Sequence, residues 1–161
     1  GYMAKPFVRD KDSIKFVPLI IKYKNILYAK NITLKDTLDD IYRTIGHYHS
    51  INLSPVFEGA EGQHKIEEII NSFRNKTIHQ VCGLDVKAIE DYQLGTIENI
   101  ESGEKDATYL PNTNLIRLIF DEGFIAIRPS GTEPKIKIYF SLNVNNIENL
   151  IKEFKETYIE Y

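Results

Sequence analysis

Eight residues near the end of the chain, Arg128 to Lys135, combine two cations, two hydroxyl groups and a glycine between two apolar stretches. The planar guanidinium of Arg128 is suited to bidentate contact with a phosphate, and the hydroxyl groups of Ser130 and Thr132 can donate hydrogen bonds to the same oxygens. Gly131 allows backbone conformations that turn successive N–H groups toward an anion. The pattern therefore predicts an anion-binding loop, although an ordinary proline- and glycine-containing turn with an incidental surface arginine has the same composition.

The sequence around this segment predicts an antiparallel sheet that would hold the loop in place. Asp121-Glu-Gly123 is typical of a short hairpin turn. Pro55 indicates that the strand in which it lies is at an edge of the sheet. Apolar or alternating runs typical of strands occur at 48–57, 84–92, 115–120, 124–128 and 136–141.

Two helices are predicted to pack on this sheet. The first carries its apolar residues at positions i, i+3, i+4 and i+7, and the second follows a cap at Asn145 or Asn146. Together with the strands they predict an α+β fold, an antiparallel sheet with two helices packed on one face. The apolar residues are Ile66, Ile69, Ile70 and Phe73 in the first helix, and Ile147, Leu150, Ile151, Phe154 and Tyr158 in the second.

Residues 1–46 predict a different structure, a pair of helices. Apolar residues recur at helical spacing after a cap at Asp12 or Ser13, and Pro18 is expected to kink this helix or delay its start. Thr33 is suited to cap a second helix that stops at Gly46.

The segment 93–114 is polar, acidic and rich in turn residues. These features predict a mobile, solvated excursion from the sheet, and a binding loop is the alternative.

Composition excludes several classes of function. The chain has 161 residues, 42% of them hydrophobic, and a formal net charge of −3, so it can bury a core but has no positive field to hold a nucleic acid. Cys82 is the only cysteine and the four histidines lack ligand companions at suitable spacing, so no disulfide and no metal site are predicted. No apolar run approaches the roughly 20 residues that span a bilayer, and no signal-peptide pattern is visible. We expect a cytoplasmic protein without membrane or nucleic-acid partners.

The segment Arg128-Pro-Ser-Gly-Thr-Glu-Pro-Lys-Ile-Lys-Ile-Tyr139 is similar to the phosphate-loop signature of phosphoglucomutases and phosphomannomutases, the α-D-phosphohexomutase family. Two further segments resemble the family in the same order, Phe7-Val-Arg-Asp-Lys-Asp12 and Phe57-Glu-Gly-Ala-Glu-Gly62. The resemblance covers nearly the whole chain. It implies that residues 1–46 are the tail of the family's third domain, the end of an α/β domain, and that residues 47–161 form its fourth domain, a lid that closes on the phosphate of the substrate.

The same resemblance implies roles for individual residues. Lys137 corresponds to a phosphate-binding position, and alternation supports this because Ile136 and Ile138 would face the core; a solvent-facing strand lysine is the alternative. Lys11 resembles an active-site lysine near the transferred phosphoryl group, and a solvated charge run at a helix start is the alternative. The remaining phosphate-contacting residues implied are Arg128, Ser130, Gly131 and Thr132.

The implied activity is intramolecular phosphoryl transfer between the 1- and 6-positions of a hexose phosphate through a phosphoserine enzyme. The resemblance also implies Mg²⁺, with ligands outside this chain, and an activator of the glucose 1,6-bisphosphate type. The serine and the Asp-rich magnesium loop of the family have no counterpart here, so we expect a fragment that is inactive without its N-terminal domains. The alternative is a stand-alone phosphosugar-binding module without catalysis. A protein-interaction or RNA-binding sheet is opposed by the charge balance and by the lack of an aromatic platform.

Overall fold

The computed structural model of the chain describes residues 13–160, without the side chain of Ala60. The chain divides into two compact units between Gly46 and His47. The family resemblance assigns these units to the third and fourth domains, and that assignment stays a prediction.

The described part of the first unit consists of two helices, α1 (Ser13–Tyr28) and α2 (Leu34–Ile45). Pro18 lies inside α1, so the expectation that it delays the helix start is wrong. Thr33 caps α2 as predicted. Its hydroxyl oxygen accepts a hydrogen bond from the Asp36 N–H at 3.0 Å, and its own N–H donates to the Asp36 carboxylate at 2.8 Å, which satisfies two backbone groups at the helix start.

The second unit is built on a seven-stranded antiparallel sheet with the strand order β1-β9-β8-β7-β4-β5-β6. A separate two-stranded sheet pairs β2 (Gln80–Val81) with β3 (Leu84–Asp85), and the helices are α3 (Gly59–Arg74) and α4 (Ile147–Tyr158). The strands of the large sheet are β1 (His49–Leu53), β4 (Ala88–Asp91), β5 (Thr96–Asn99), β6 (Lys105–Ala107), β7 (Ile116–Phe120), β8 (Gly123–Pro129) and β9 (Ile136–Leu142).

Both helices pack on the same face of this sheet. Phe154 of α4 is 0% exposed and lies edge-to-face with Phe140 of β9, at 5.3 Å between ring centroids. The same ring stacks on Phe73 of α3 at 6.0 Å. Since burying a large apolar side chain stabilises the fold by roughly 1.5–3 kcal/mol, this aromatic cluster holds the two helices and the sheet together. The predicted α+β fold, with two helices on one antiparallel sheet, is confirmed.

A buried ion pair joins α3 to the sheet. Asp91 is 5% exposed at the end of β4, and its carboxylate accepts a hydrogen bond from Arg74 Nε at 2.7 Å. The other carboxylate oxygen accepts from the N–H groups of Gln93 and Leu94 at 2.9 and 3.2 Å. Because a buried carboxylate is tolerated only when it is paired and hydrogen-bonded, this network fixes the end of α3 over the end of β4.

Two strand predictions differ from the structure in extent. The stretch 84–92 is divided into β3 and β4, which belong to different sheets. The stretch 48–57 contains only the short strand β1, which lies at the edge of the large sheet as Pro55 indicated. Beyond β1, Val56 forms an isolated antiparallel bridge with Lys135.

The segment 93–114, predicted to be a mobile, solvated excursion from the sheet, instead contains β5 and β6, which extend the large sheet. The turn between them depends on Asn99, whose side-chain oxygen accepts hydrogen bonds from the N–H groups of Glu101 and Ser102 at 3.0 and 2.9 Å. Gly103 follows with a φ of 71°. The polar residues therefore signal a hairpin turn, and the pairing partner that makes β5 a strand is the neighbouring β4.

Candidate anion-binding site

The loop between β8 and β9 is a tight, exposed connection. The Ser130 N–H donates to the carbonyl oxygen of Lys135 at 2.8 Å and closes the loop, and the Lys135 N–H donates to the carbonyl oxygen of Glu133 at 2.7 Å. Residues 131–134 are all exposed. The loop is therefore held at both ends by its own backbone while its tip is open to a ligand.

A neighbouring segment, 55–57, supports the C-terminal half of the loop. The Phe57 N–H donates to the carbonyl oxygen of Pro134 at 2.8 Å, and the Ile136 N–H donates to the carbonyl oxygen of Pro55 at 3.2 Å. The structure therefore brings together two of the segments that sequence analysis singled out, the loop at 128–135 and the motif that begins at Phe57.

Arg128 and Lys137 lie directly opposite one another on β8 and β9. Residues that face each other across antiparallel strands project from the same side of the sheet, with Cβ atoms about 4.5–5.5 Å apart. This side is opposite the core, because Ile136 and Ile138 are fully buried on the other face. The predicted alternation around Lys137 is confirmed, and its binding role stays a prediction.

The guanidinium of Arg128 is available to a ligand. It is exposed, and within residues 13–160 no side chain forms an ion pair or hydrogen bond with it. Two adjacent cations repel one another across a strand pair, so an anion bound between Arg128 and Lys137 would relieve that repulsion and gain charge-assisted hydrogen bonds.

Lys135, the other cation of the loop, is engaged. It forms an ion pair with the carboxylate of Glu133. This hydrogen bond, together with the charge of Lys135 and a smaller contribution from Lys137, lowers the pKa of Glu133 below its usual value. The carboxylate is therefore ionised at neutral pH and keeps the Lys135 charge satisfied within the loop. Sequence analysis missed this pairing, although opposite charges two residues apart in a short loop could have indicated it.

The reason given for Gly131 is not supported. Its φ does not lie in the left-handed region, and a Cβ added there would meet nothing within 4 Å. The Ser130 N–H is used to close the loop, so it cannot point toward an anion. In the described part of the chain, the N–H groups of Gly131, Thr132 and Glu133 donate to no backbone acceptor.

A cavity of about 490 Å³ lies away from this loop, near the ends of α3 and α4. It is lined in part by Ser72, Lys76, His79 and Tyr158. Although it holds a lysine, the C-terminal ends of helices carry partial negative charge, which disfavours an anion. The exposed loop fits a phosphate better than this cavity does.

Other features bear on the remaining expectations. Lys11 lies outside the described residues, so its role stays a prediction. Among residues 13–160, no group of three or more His, Cys, Asp or Glu side chains could hold a metal ion, and no helix is long and apolar enough to cross a membrane. Burial and the charge of Glu153 raise the pKa of the Cys82 thiol to about 11, so this thiol is unreactive at neutral pH.

Comparison with known proteins relates this fold and loop to one family. The model of the phosphoglucomutase/phosphomannomutase C-terminal domain matches residues 85–141, a range that includes the whole loop. The chain is similar to the C-terminal part of the phosphoglucomutases and phosphomannomutases. It is 52% identical over 159 residues to a phosphoglucomutase of Staphylococcus saprophyticus, a match that covers 99% of this chain and 29% of that relative.

Further relatives carry the same name. A phosphoglucomutase of Staphylococcus epidermidis is 45% identical over 156 residues, covering 97% of this chain and 29% of the relative. A phosphoglucomutase of Staphylococcus haemolyticus is 48% identical over 153 residues, covering 95% of this chain and 28% of that relative. The chain therefore spans less than a third of the length of the relatives that it matches.

Proposed function

We propose that this chain is the phosphate-binding lid, with the preceding helices, of a phosphoglucomutase, and that the β8–β9 loop holds the non-reacting phosphate of a hexose phosphate. The observation that carries the proposal is the pair of cations, Arg128 and Lys137, which lie opposite one another beside the loop. Among residues 13–160, the N–H groups of loop residues 131–133 donate to no backbone acceptor. Ser130 and Thr132 add hydroxyl donors at the same end of the sheet. The names of the relatives favour glucose phosphates over mannose phosphates as substrate.

The parent enzyme would transfer a phosphoryl group between the 1- and 6-positions of the hexose through a phosphoserine, with a bisphosphate activator of the glucose 1,6-bisphosphate type. Phosphoryl transfer depends on positioning and on charge stabilisation. A lid that grips the remote phosphate uses that binding energy to align the reacting one and to exclude water. Mg²⁺, bound by residues outside this chain, would supply charge stabilisation, and Lys11 would lie near the transferred group.

The chain alone is expected to have no mutase activity, because the proposed nucleophile and metal ligands belong to the N-terminal domains, its proposed partners. A cytoplasmic location would suit this metabolic role. The mutase activity of the purified chain is measured in a coupled assay with glucose 1-phosphate, Mg²⁺ and glucose 1,6-bisphosphate. Turnover comparable with that of a full-length mutase would contradict the proposed division of labour.

The loop assignment is tested by titrating the isotopically labelled chain with inorganic phosphate and with glucose 1-phosphate, followed by NMR. Binding is expected to be weak, because a single anion must offset the whole association cost. Amide shifts should concentrate at residues 130–133. Since a charge-assisted contact contributes about 1.5–3 kcal/mol, Arg128→Ala should weaken binding by roughly 10- to 150-fold and leave the fold intact.

Arg43→Ala is the matched control. Arg43 is also an exposed arginine, but it pairs with Asp40 on α2, so its loss should leave phosphate affinity unchanged. Shifts concentrated away from the loop, or equal affinity in Arg128→Ala and the unaltered chain, would overturn the assignment.

A further inference from the structure

The motif 57–62 has no role in the proposed chemistry, yet its last residue is sterically constrained. Gly62 is buried in the first turns of α3. A Cβ at this position would lie 2.2 Å from the carbonyl oxygen of Phe57, 2.5 Å from its carbonyl carbon and 2.8 Å from its Cβ. Backbone atoms account for the two closest of these contacts, so a side chain at position 62 requires the backbone of Phe57 to move.

Phe57 also contacts the loop. Its N–H donates to the carbonyl oxygen of Pro134 at 2.8 Å. The two contacts lie on opposite sides of one residue, with the carbonyl group against Gly62 and the N–H against the loop. Rotation about the Cα–C bond can move the Phe57 carbonyl without moving its N–H, but it leaves the Phe57 Cβ 2.8 Å from the added atom. Relieving that contact as well requires the Phe57 Cα to move, and this movement displaces the attached N–H that donates to the Pro134 carbonyl.

Two further contacts join the same segment to this end of the loop. Val56 forms only an isolated bridge with Lys135, and the Pro55 carbonyl accepts from the Ile136 N–H at the longer distance of 3.2 Å. All three contacts come from the short segment 55–57, which lies between the end of β1 and α3. A shift of Phe57 is thus transmitted directly to residues 134–136.

Gly131 differs from Gly62 in the space around it. It belongs to the loop itself, but a Cβ there would meet nothing within 4 Å. The glycine whose absent side chain shapes the loop is therefore in the supporting helix and not in the loop.

We infer that Gly62 is a positioning residue for the phosphate loop: its lack of a side chain lets α3 seat against the Phe57 carbonyl, and the Phe57 N–H then sets the position of Pro134. This inference rests on the proposed function for the purpose of the loop, but the geometric coupling from Gly62 to Pro134 stands apart from it.

The test compares the full chain with three variants. Gly62→Ala adds one methyl group against Phe57. Gln63→Ala changes an exposed neighbour on the same helix and serves as the local control. Val86→Ala removes buried volume at a residue whose N–H donates to the His79 carbonyl, away from the loop, and serves as the control for lost stability. Three properties of each variant are measured. They are the NMR amide shifts of residues 130–136 without ligand, the affinity for inorganic phosphate and the stability to denaturant.

Gly62→Ala should move the ligand-free amide shifts of residues 130–136 and weaken phosphate binding at least about tenfold, roughly the loss of one hydrogen-bonded contact. Gln63→Ala should change neither, and Val86→Ala should lower stability without changing affinity. The inference would be overturned if the ligand-free amide shifts of residues 130–136 and the phosphate affinity of Gly62→Ala both matched those of the unaltered chain.

A fourth variant, Phe57→Pro, is used if Gly62→Ala does not fold. This variant removes the Phe57 N–H that donates to the Pro134 carbonyl oxygen, and it adds no atom at position 62. It should weaken phosphate binding as Gly62→Ala does. Unchanged affinity in this variant would also overturn the inference. If the unaltered chain binds phosphate away from the loop, the proposed function fails, while the ligand-free shifts still decide the role of Gly62.

Discussion

Helices α2 and α4 are both amphipathic and twelve residues long, but only α4 buries its apolar stripe. Ile147, Leu150 and Phe154 of α4 are buried against the sheet and α3. None of the described residues of α2 is buried. Its apolar face consists of Leu34, Leu38, Ile41 and Ile45, which are 39–65% exposed.

The same amphipathic pattern is therefore stabilised by packing in α4 but receives little such stabilisation in α2. In α1 the only described residue that is buried is Leu27. Isolated helices of this length are marginal in water, and most helical stability in proteins comes from packing of the apolar face. Under the proposed function, the rest of the third domain would cover α2. Four predictions test this contrast, in order of decreasing effect.

Removing a packed ring should have the largest effect. Phe154→Ala deletes a fully buried side chain that contacts Phe73, Phe140 and Tyr158, and we expect it to lower the free energy of unfolding by about 3–5 kcal/mol. Leu38→Ala, on the exposed stripe of α2, should change it by less than about 0.5 kcal/mol. Denaturant unfolding, followed by a signal from the sheet, measures the free energy of unfolding of both variants. Similar losses in the two variants would show that α2 is packed as firmly as α4.

Hydrogen exchange should separate the two units next. We expect amides in α1 and α2 to exchange at least about 100-fold faster, relative to their intrinsic rates, than amides in β7, β8 and β9, since opening a poorly packed helix costs less than opening the core. The difference corresponds to about 2.7 kcal/mol of opening free energy. Equal, strong protection across residues 14–45 and 116–142 would remove the contrast on which the argument depends.

The smallest effect should come from the cap of α2. Thr33→Ala removes the hydroxyl that accepts from the Asp36 N–H, and a lost cap costs about 1 kcal/mol. Because so little packing supports α2, we expect local fraying, visible as a loss of helical NMR shifts over residues 34–38. Thr33→Ser, which keeps the hydroxyl, is the control and should retain the helix. Identical shifts in Thr33→Ala would mean that packing holds α2 without its cap.

The same cap predicts a pH dependence. Hydrogen bonds from Thr33 lower the pKa of Asp36 below the usual value of an aspartate, so the carboxylate stabilises the folded helix start. This contribution is present above the usual pKa of an aspartate and is lost as the pH falls through the lowered value. Fraying of α2 should therefore begin below about pH 4, and Asp36→Asn should abolish that onset.

Sequence patterns predicted the elements well where local periodicity and burial agree. Alternation in 136–141 placed Ile136 and Ile138 in the core and Lys137 on the other face, and the structure confirms it. The hairpin at 93–114 was missed because its polar residues are typical both of loops and of sheet edges. Whether such residues pair is decided by β4 beside them, and that neighbour is not visible in a local pattern.

For the candidate site, the sequence by itself determined the composition of the loop and the side of the sheet from which Lys137 projects, because both follow from residue type and from the two-residue repeat of a strand. Only the tertiary structure decided which groups are available to an anion. Within residues 13–160 no side chain pairs with Arg128, Glu133 holds the charge of Lys135, and the N–H of Ser130 closes the loop. It also decided that Gly62, remote in sequence, supports Pro134 through Phe57. The contact between Phe57 and Pro134 joins segments more than 60 residues apart. It depends on how segment 55–57 lies beside the β8–β9 loop, and a local sequence pattern does not encode that packing.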